Sequence, residues 1–274
     1  MSTVSRAVLP GFGLGLGTAL VWLAGLVLVP LAACLIKASS LSPSEFAAAA
    51  FSERARAAYA LTFGASLAAA LINVVLGLVV AWTLVRYEFP FKRWADALVD
   101  VPLALPTAVA GLVYAALFLG DGWYGRFLVP LGVEVAYTRL GIVAVLVFTG
   151  FPFVVRSVQP VLATLEPEVE EAAGVLGASR WQTFRRVLLP LLIPPVLTGF
   201  ALAFARSLGE YGSVIFISSN IPMLSEIAPT LIVERLEAFA YAEAAAIASV
   251  LLGASFVLLL LINRLERWSN RHVT

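Results

Sequence analysis

Long apolar runs separated by short polar segments dominate the chain. Six runs are long enough to cross a membrane as helices, because about 20 residues at about 1.5 Å each span a hydrocarbon layer of roughly 30 Å. The six runs lie at residues 11–36, 59–85, 98–119, 139–161, 187–209 and 244–263. The pattern therefore predicts an all-α integral membrane protein with six transmembrane helices.

The polar segments divide the chain into three predicted regions. Residues 1–58 hold the first span and an outer loop, and residues 59–263 form a core of five spans that contains a polar loop at 164–186. A short tail follows at 264–274. Residues 217–240 are too polar to span, so we expect a short amphipathic helix on the surface opposite the polar loop.

The polar loop between the fourth and fifth spans carries signals for two helices. Pro167 suits a first helical position because it lacks an N–H, and acidic residues follow it near the positive end of that helix. Gly177 favours a left-handed helix stop, and Ser179 with Gln182 has the spacing of a capping box. The loop is predicted to be a helix, a turn and a second helix outside the lipid.

The basic residues predict the orientation. Eleven of the 18 Lys and Arg residues lie on the side of the N-terminus and the 164–186 loop, and six lie on the other side. Since cytoplasmic loops carry the excess of basic residues, both termini and the polar loop are predicted to be cytoplasmic.

Residue types that enzymes use for catalysis are scarce. The only histidine is His272 in the tail. The only cysteine is Cys34, in an apolar run, and a single cysteine cannot form a disulfide within the chain. The chain has no phosphate-binding P-loop motif and no H-E-x-x-H helix. A net charge of +1 gives no indication of a nucleic-acid partner. If ATP drives this system, another chain must hydrolyse it.

Charged and polar residues within the spans are candidates for function, since ionisable groups are costly in lipid. Arg206 and Glu210 are spaced i, i+4 at the end of the fifth span, and Tyr211 and Gly212 follow them. Both interpretations of this group remain open: an ion pair that stabilises the helix end, and the lining or gate of a pathway. Asn73 in the second span is expected to hydrogen-bond to a neighbouring helix rather than to bind substrate.

The polar loop resembles a known family. Seven residues match the pattern EAA-x3-G-x9-I-x-L-P, with Val in place of Ile: Glu171, Ala172, Ala173, Gly177, Val187, Leu189 and Pro190. This pattern is similar to the cytoplasmic loop of the membrane subunits of binding-protein-dependent ABC importers. The resemblance implies a type I ABC importer permease fold, with the loop docked on a dimer of ATPase subunits. It implies no cofactor on this chain, with ATP and Mg on the partner ATPase.

Three further stretches, 97–111, 151–162 and 201–222, resemble the T-type subunits of sulfate/thiosulfate permeases. The segment around Arg206 and Glu210 is also similar to molybdate and tungstate permeases, which remain the alternative. The resemblance implies a bacterial inner-membrane location, a periplasmic or lipid-anchored sulfate-binding protein, and a second related permease, with homodimer and heterodimer both open. It also implies a pathway between the two permeases.

A rival class is an ion-coupled carrier or channel that works without an ATPase. A proton-coupled carrier usually buries several acidic groups near mid-membrane, whereas the acidic residues of this chain cluster in loops. The sequence therefore favours the importer.

Overall fold

The protein is built of α-helices. The computed structural model describes the backbone of residues 12–270 and the side chains of all these residues except 167 and 266–270. Outside this range lie the first residue of the first predicted span, the only histidine and the end of the predicted tail, namely Gly11, His272 and Thr274.

Fifteen α-helices occur within the described range, with no strand beyond one isolated bridge between Tyr137 and Ser218. The bounds of the helices are α1 Phe12–Leu23, α2 Val29–Ala38, α3 Pro43–Ala50, α4 Glu53–Arg86, α5 Lys92–Val99, α6 Val101–Ala104, α7 Thr107–Phe118, α8 Gly125–Leu128, α9 Arg139–Thr164, α10 Pro167–Val175, α11 Arg180–Thr183, α12 Leu189–Leu208, α13 Val214–Ile217, α14 Ala228–Glu237 and α15 Tyr241–Asn270. Two π-helical turns, Ala24–Leu28 and Phe184–Leu188, join α1 to α2 and α11 to α12.

Five helical segments of the described chain are long and apolar enough to cross a membrane, and they confirm five of the six predicted spans. The segments are Phe12–Ala38, Glu53–Arg86, Arg139–Thr164, Arg180–Leu208 and Tyr241–Leu265. The bundle thus has one end that carries the polar loop, called here the loop end, and an opposite end, called the far end.

The third predicted span, residues 98–119, is helical but is not one continuous helix. This region is broken into α5, α6 and α7, and only α7 is a sizeable apolar helix. Leu105 and Pro106 are extended, with ψ of 133° and 132°. The cause is local: Pro106 has no N–H for a helical hydrogen bond and disfavours helical geometry at Leu105. Hydropathy alone does not register this break.

The core of the bundle lies where α4, α9 and α12 pack together. Val154 of α9 is fully buried at this contact. A Cβ on Gly77 of α4 would lie 2.7 Å from Val154 Cγ1, and a Cβ on Gly199 of α12 would lie 2.8 Å from Val154 Cα. The small residues therefore permit the close approach of the three helices, as in other membrane bundles.

The amphipathic helix predicted within 217–240 is present as α14, which packs against α15 and α4. Arg54 at the start of α4 holds this region in place: its guanidinium donates to both carboxylate oxygens of the buried Glu226, at 2.6 and 2.8 Å, and pairs with Glu234 of α14. The far end is therefore stabilised by an ion-pair group that the sequence pattern did not reveal.

Candidate functional site

The polar loop forms the predicted helix, turn and helix. The first helix, α10, begins at Pro167 and is followed by Gly177 at φ +81°, the left-handed conformation expected there. Beyond the turn, the Ser179 amide donates to Gln182 Oε1 at 2.8 Å and the Gln182 amide donates to Ser179 Oγ at 3.3 Å. This reciprocal capping box starts α11, as the sequence predicted.

One exposed face of the loop is largely apolar and includes a single carboxylate. It comprises Glu171, Ala172, Val175 and Leu176 and is called here the exposed loop face. Val175 and Leu176 have exposed fractions of 88% and 87%, whereas Ala173 on another side of α10 is half-buried. Because exposed apolar side chains on a polar loop favour a protein contact, this face has the character of a docking surface.

The second half of the EAA pattern lies where the loop enters the bundle. Val187 belongs to the π-helical turn at Phe184–Leu188, and Leu189 and Pro190 begin α12. Leu188, between them, is buried in the bundle. Because π-helical turns are rare and often occur at functional sites, this turn is a candidate functional element at the junction between the loop and α12.

The structure brings the charged pair at the end of the fifth span together. Arg206 pairs with Glu210, whose side chain is only 2% exposed. Glu210 Oε1 also accepts from the Ser213 amide at 2.9 Å and from Ser213 Oγ at 2.8 Å. The ion-pair interpretation is confirmed, and Glu210 in addition fixes the turn between α12 and α13.

This turn packs on the start of α7. A Cβ on Gly212 would lie 2.3 Å from Thr107 Oγ1, and a Cβ on Gly111 would lie 2.2 Å from the Ser213 carbonyl oxygen. Gly212 and the half-buried Tyr211 therefore lie beside the break in the third span. The contact between these two regions, about 100 residues apart in the chain, could not be predicted from the sequence pattern.

A second cluster, which the sequence reasoning missed, lies at the loop end and is called here the Arg156 cluster. Arg156 of α9 donates through Nε and Nη2 to the Asp100 carboxylate at 2.9 and 2.6 Å, and through Nη2 to the Asp96 carbonyl at 2.9 Å. Its Nη1 donates to Asp96 Oδ1 and to Gln159 Oε1, both at 2.6 Å. All five N–H donors of the guanidinium are thus used, which leaves none for an anion.

The Arg156 cluster attaches the first part of the broken span, α5 and α6, to α9. The Gln159 amide and the Arg156 guanidinium hold the pKa of the Asp96 carboxyl below its ordinary value by hydrogen-bonding its charged form. The i, i+4 spacing of Asp96 and Asp100 was the signal in the sequence, because it places both carboxylates on one helix face.

The hydrogen bond expected between Asn73 and a neighbouring helix is absent from the described part of the chain. Its side chain is fully buried between α4, α9 and α12, but neither amide atom has a hydrogen-bond partner among the described residues. Its Nδ2 lies 2.7 Å from where a Cβ on Gly150 would stand, so Gly150 leaves the room that Asn73 occupies. Among the side chains that the structure describes, no three His, Cys, Asp or Glu residues lie close enough to hold a metal ion.

The helical bundle and its exposed loop define the membrane-spanning subunit of a transport system. Residues 73–274 match the model of the binding-protein-dependent transport system inner membrane component, and the chain belongs to this family. It is accordingly a multi-pass protein of the inner membrane.

Curated relatives match nearly the whole chain. The sulfate transport system permease protein CysT of Salmonella typhimurium is 48% identical over 273 residues, covering 100% of this chain and 99% of the relative. The sulfate transport system permease protein CysT of Synechocystis is 51% identical over 253 residues, covering 92% of this chain and 88% of the relative.

Solved structures agree on the fold. A crystal structure of a bacterial alginate ABC transporter, in complex with its alginate pentasaccharide-bound periplasmic protein, superimposes with a TM-score of 0.72. The alignment covers 92% of each chain at 18% identity. At this identity the likeness shows the fold alone, and it confirms the predicted ABC permease architecture.

Proposed function

We propose that this chain is the permease subunit of an ATP-driven importer that carries sulfate, and with it thiosulfate, into the cytoplasm. The proposal rests on the comparison with sulfate transport system permeases: 48% and 51% of the aligned residues are identical, and the alignments cover 100% and 92% of this chain. The exposed loop face supplies the physical element that such a subunit needs. Molybdate and tungstate are not favoured, because the relatives compared are named as sulfate permeases.

The chain itself carries out no chemical step in this proposal. ATP and Mg bind to a dimer of partner ATPase subunits, and the exposed loop face docks on one of them. Glu171, Ala172 and Ala173 supply the docking helix, and the left-handed Gly177 ends it. A short, capped helix transmits displacement better than a flexible segment, because it does not deform when one side is pushed. The π-helical turn then leads that displacement into α12.

The translocation path is proposed to run beside the end of α12, between this chain and a second, related permease. Arg206 is one-third exposed, so its charge is available to attract an anion while its pairing with Glu210 weakens that attraction. A weak site suits transport, since sulfate must leave as readily as it enters. Tyr211 and Gly212 form the adjoining turn. A separate periplasmic or lipid-anchored sulfate-binding protein supplies most of the selectivity.

Substrate choice is tested by uptake. In proteoliposomes that contain the complete transporter and its binding protein, labelled sulfate uptake is expected to require ATP inside. Unlabelled sulfate and thiosulfate are expected to compete, and molybdate at the same concentration is expected to compete far less. Stronger competition by molybdate would reverse the assignment of the substrate, and uptake without ATP would favour the ion-coupled carrier.

The docking surface is tested by placing a charge on it. Leu176→Asp is expected to weaken retention of the ATPase by roughly thirtyfold, because a charge buried at an interface centre costs about 2 kcal/mol or more. Co-purification of the ATPase with the tagged permease measures the effect. Leu131→Asp is the matched control, since Leu131 is 77% exposed at the far end of the bundle. Equal ATPase recovery with both variants would contradict the proposed docking face.

A further inference from the structure

The first loop helix, α10, is held to the bundle by a side chain that is not part of the EAA pattern. Arg86, the last residue of α4, has its Nη2 2.7 Å from Glu170 Oε1 in the first turn of α10. Its Nη1 donates to the Leu165 carbonyl, just after α9, at 3.2 Å. One guanidinium therefore joins the ends of two core helices to the loop helix.

A series of aromatic contacts also connects the end of α4 to the loop, beside this ion pair. Trp82 lies one turn before Arg86 on α4, and the Arg86 guanidinium lies 5.8 Å from the centre of its ring. The Trp82 ring meets Phe184 edge-on at 5.8 Å, and Phe184 stacks on Trp181 at 5.6 Å. Since Phe184 begins the π-helical turn into α12, the last turn of α4 contacts both halves of the loop.

Between these contacts the loop is not closely packed on α4. A cavity of about 680 Å³ lies between them. Its lining comes from the end of α4 and from both loop helices, including Val85, Tyr87, Glu171, Gly174, Ala178 and Thr183. A displacement of α10 therefore reaches α4 through the few groups that bridge the cavity rather than through a continuous packed surface.

Two adjacent acidic residues of α10 are directed differently. Glu170 is half-buried and paired with Arg86, whereas Glu171 lies at the edge of the same cavity, is exposed to solvent and makes no ion pair with a described residue. Successive residues of a helix point about 100° apart, so the two carboxylates serve different neighbours. Glu171 can therefore contact a partner subunit, whereas Glu170 pairs with Arg86 of this chain.

We propose that Arg86 is a positioning residue through which α10 moves α4 when the ATPase acts on the loop. The inference rests on the proposed coupling to an ATPase and adds a second route to the direct connection from the loop into α12. Because α4 packs along both α9 and α12, movement of its end is passed to the whole core. The Arg86–Glu170 pair then determines how much transport each hydrolysed ATP produces.

The test is the ratio of sulfate transported to ATP hydrolysed in proteoliposomes with the complete transporter and its binding protein. Arg86→Gln and Glu170→Gln are each expected to lower this ratio about fivefold, within the range of coupling between residues in contact. ATPase retention and the rate of hydrolysis are expected to stay near normal. The charge-reversed double variant, Arg86→Glu with Glu170→Arg, is expected to recover most of the ratio.

Glu88→Gln is the matched control. It removes an ion pair of the same length, 2.7 Å to Lys92, at the same end of the bundle, but Glu88 is 89% exposed and does not touch α10. Its ratio is expected to equal that of the unaltered transporter.

Two results would overturn the inference. One is an unchanged ratio in both single variants. The other is lowered thermal stability with a ratio that charge reversal does not restore, which would make the pair structural only. Absence of ATP-driven uptake by the unaltered transporter is distinguishable from both, because it would refute the proposed function and this inference together.

Discussion

Gly111→Ala is expected to prevent the close packing of α7 on the turn after α12 and to lower the stability of the bundle sharply. The added Cβ would lie 2.2 Å from the Ser213 carbonyl oxygen and 2.9 Å from the Ser213 Cα. These are backbone atoms, and Glu210 holds Ser213 through its amide and its hydroxyl. Neither side can yield by a rotamer change, so the cost should be at or above the upper end of the usual overpacking range of about 1–3 kcal/mol.

The measurement is the thermal unfolding midpoint of the purified variant in detergent, together with its yield from membranes. Gly64→Ala in α4 is the matched control, because a Cβ there meets nothing within 4 Å. That control is expected to be neutral or slightly stabilising, since Ala favours a helix over Gly by about 1 kcal/mol. A normal unfolding midpoint for Gly111→Ala would show that α7 and the turn are not packed as described.

Arg156→Ala is expected to release α5 and α6 from α9 and to abolish most sulfate uptake. The change removes five hydrogen bonds, takes the guanidinium partner from Asp100 and leaves Asp96 with the side-chain hydrogen bond from Gln159. Arg156 is one-third exposed, so solvent screening reduces the expected loss of stability to about 2 kcal/mol. Arg156→Lys should recover only part of it, because an ammonium group cannot reproduce the bidentate contact with Asp100.

Uptake in proteoliposomes and the unfolding midpoint test this prediction, with Arg93→Ala as an exposed control of equal charge on α5.

The stability of the protein at low pH gives an independent measure of the Arg156 cluster. Since the pKa of Asp96 is lowered in the folded protein, its contribution to stability is complete above its ordinary pKa, 3.8, and is lost as the pH falls through the lower folded value. Arg156→Ala should therefore flatten the decline of stability in acid. An equal decline in both proteins would exclude this role.

Local signals were enough to predict the loop. The positive φ of Gly177 and the capping box of Ser179 and Gln182 depend on residues within four positions of one another. Such contacts form wherever the chain adopts a helix, so the sequence specifies them directly. The EAA pattern then gave the family, which the match over residues 73–274 bears out.

The broken third span shows the limit of hydropathy. Residues 98–119 are mostly apolar, with Asp100 as the one charged residue, but the backbone at Leu105 and Pro106 is extended. Proline within a span has two outcomes: Pro152 and Pro160 lie inside the continuous helix α9, whereas Pro106 ends one helix and precedes another. Neighbouring helices decide between them, since they can satisfy the carbonyls that proline leaves free.

By itself, the sequence determined the approximate place of the apolar segments and the two helices of the exposed loop, and it predicts the orientation. All of these follow from composition or from contacts a few residues apart. Only the tertiary structure decided which charges meet. Arg156 lies 56 and 60 residues from its two aspartates, and Arg54 lies 172 residues from Glu226. A guanidinium selects a carboxylate by distance and direction in space, and neither quantity is encoded in the local pattern of the chain.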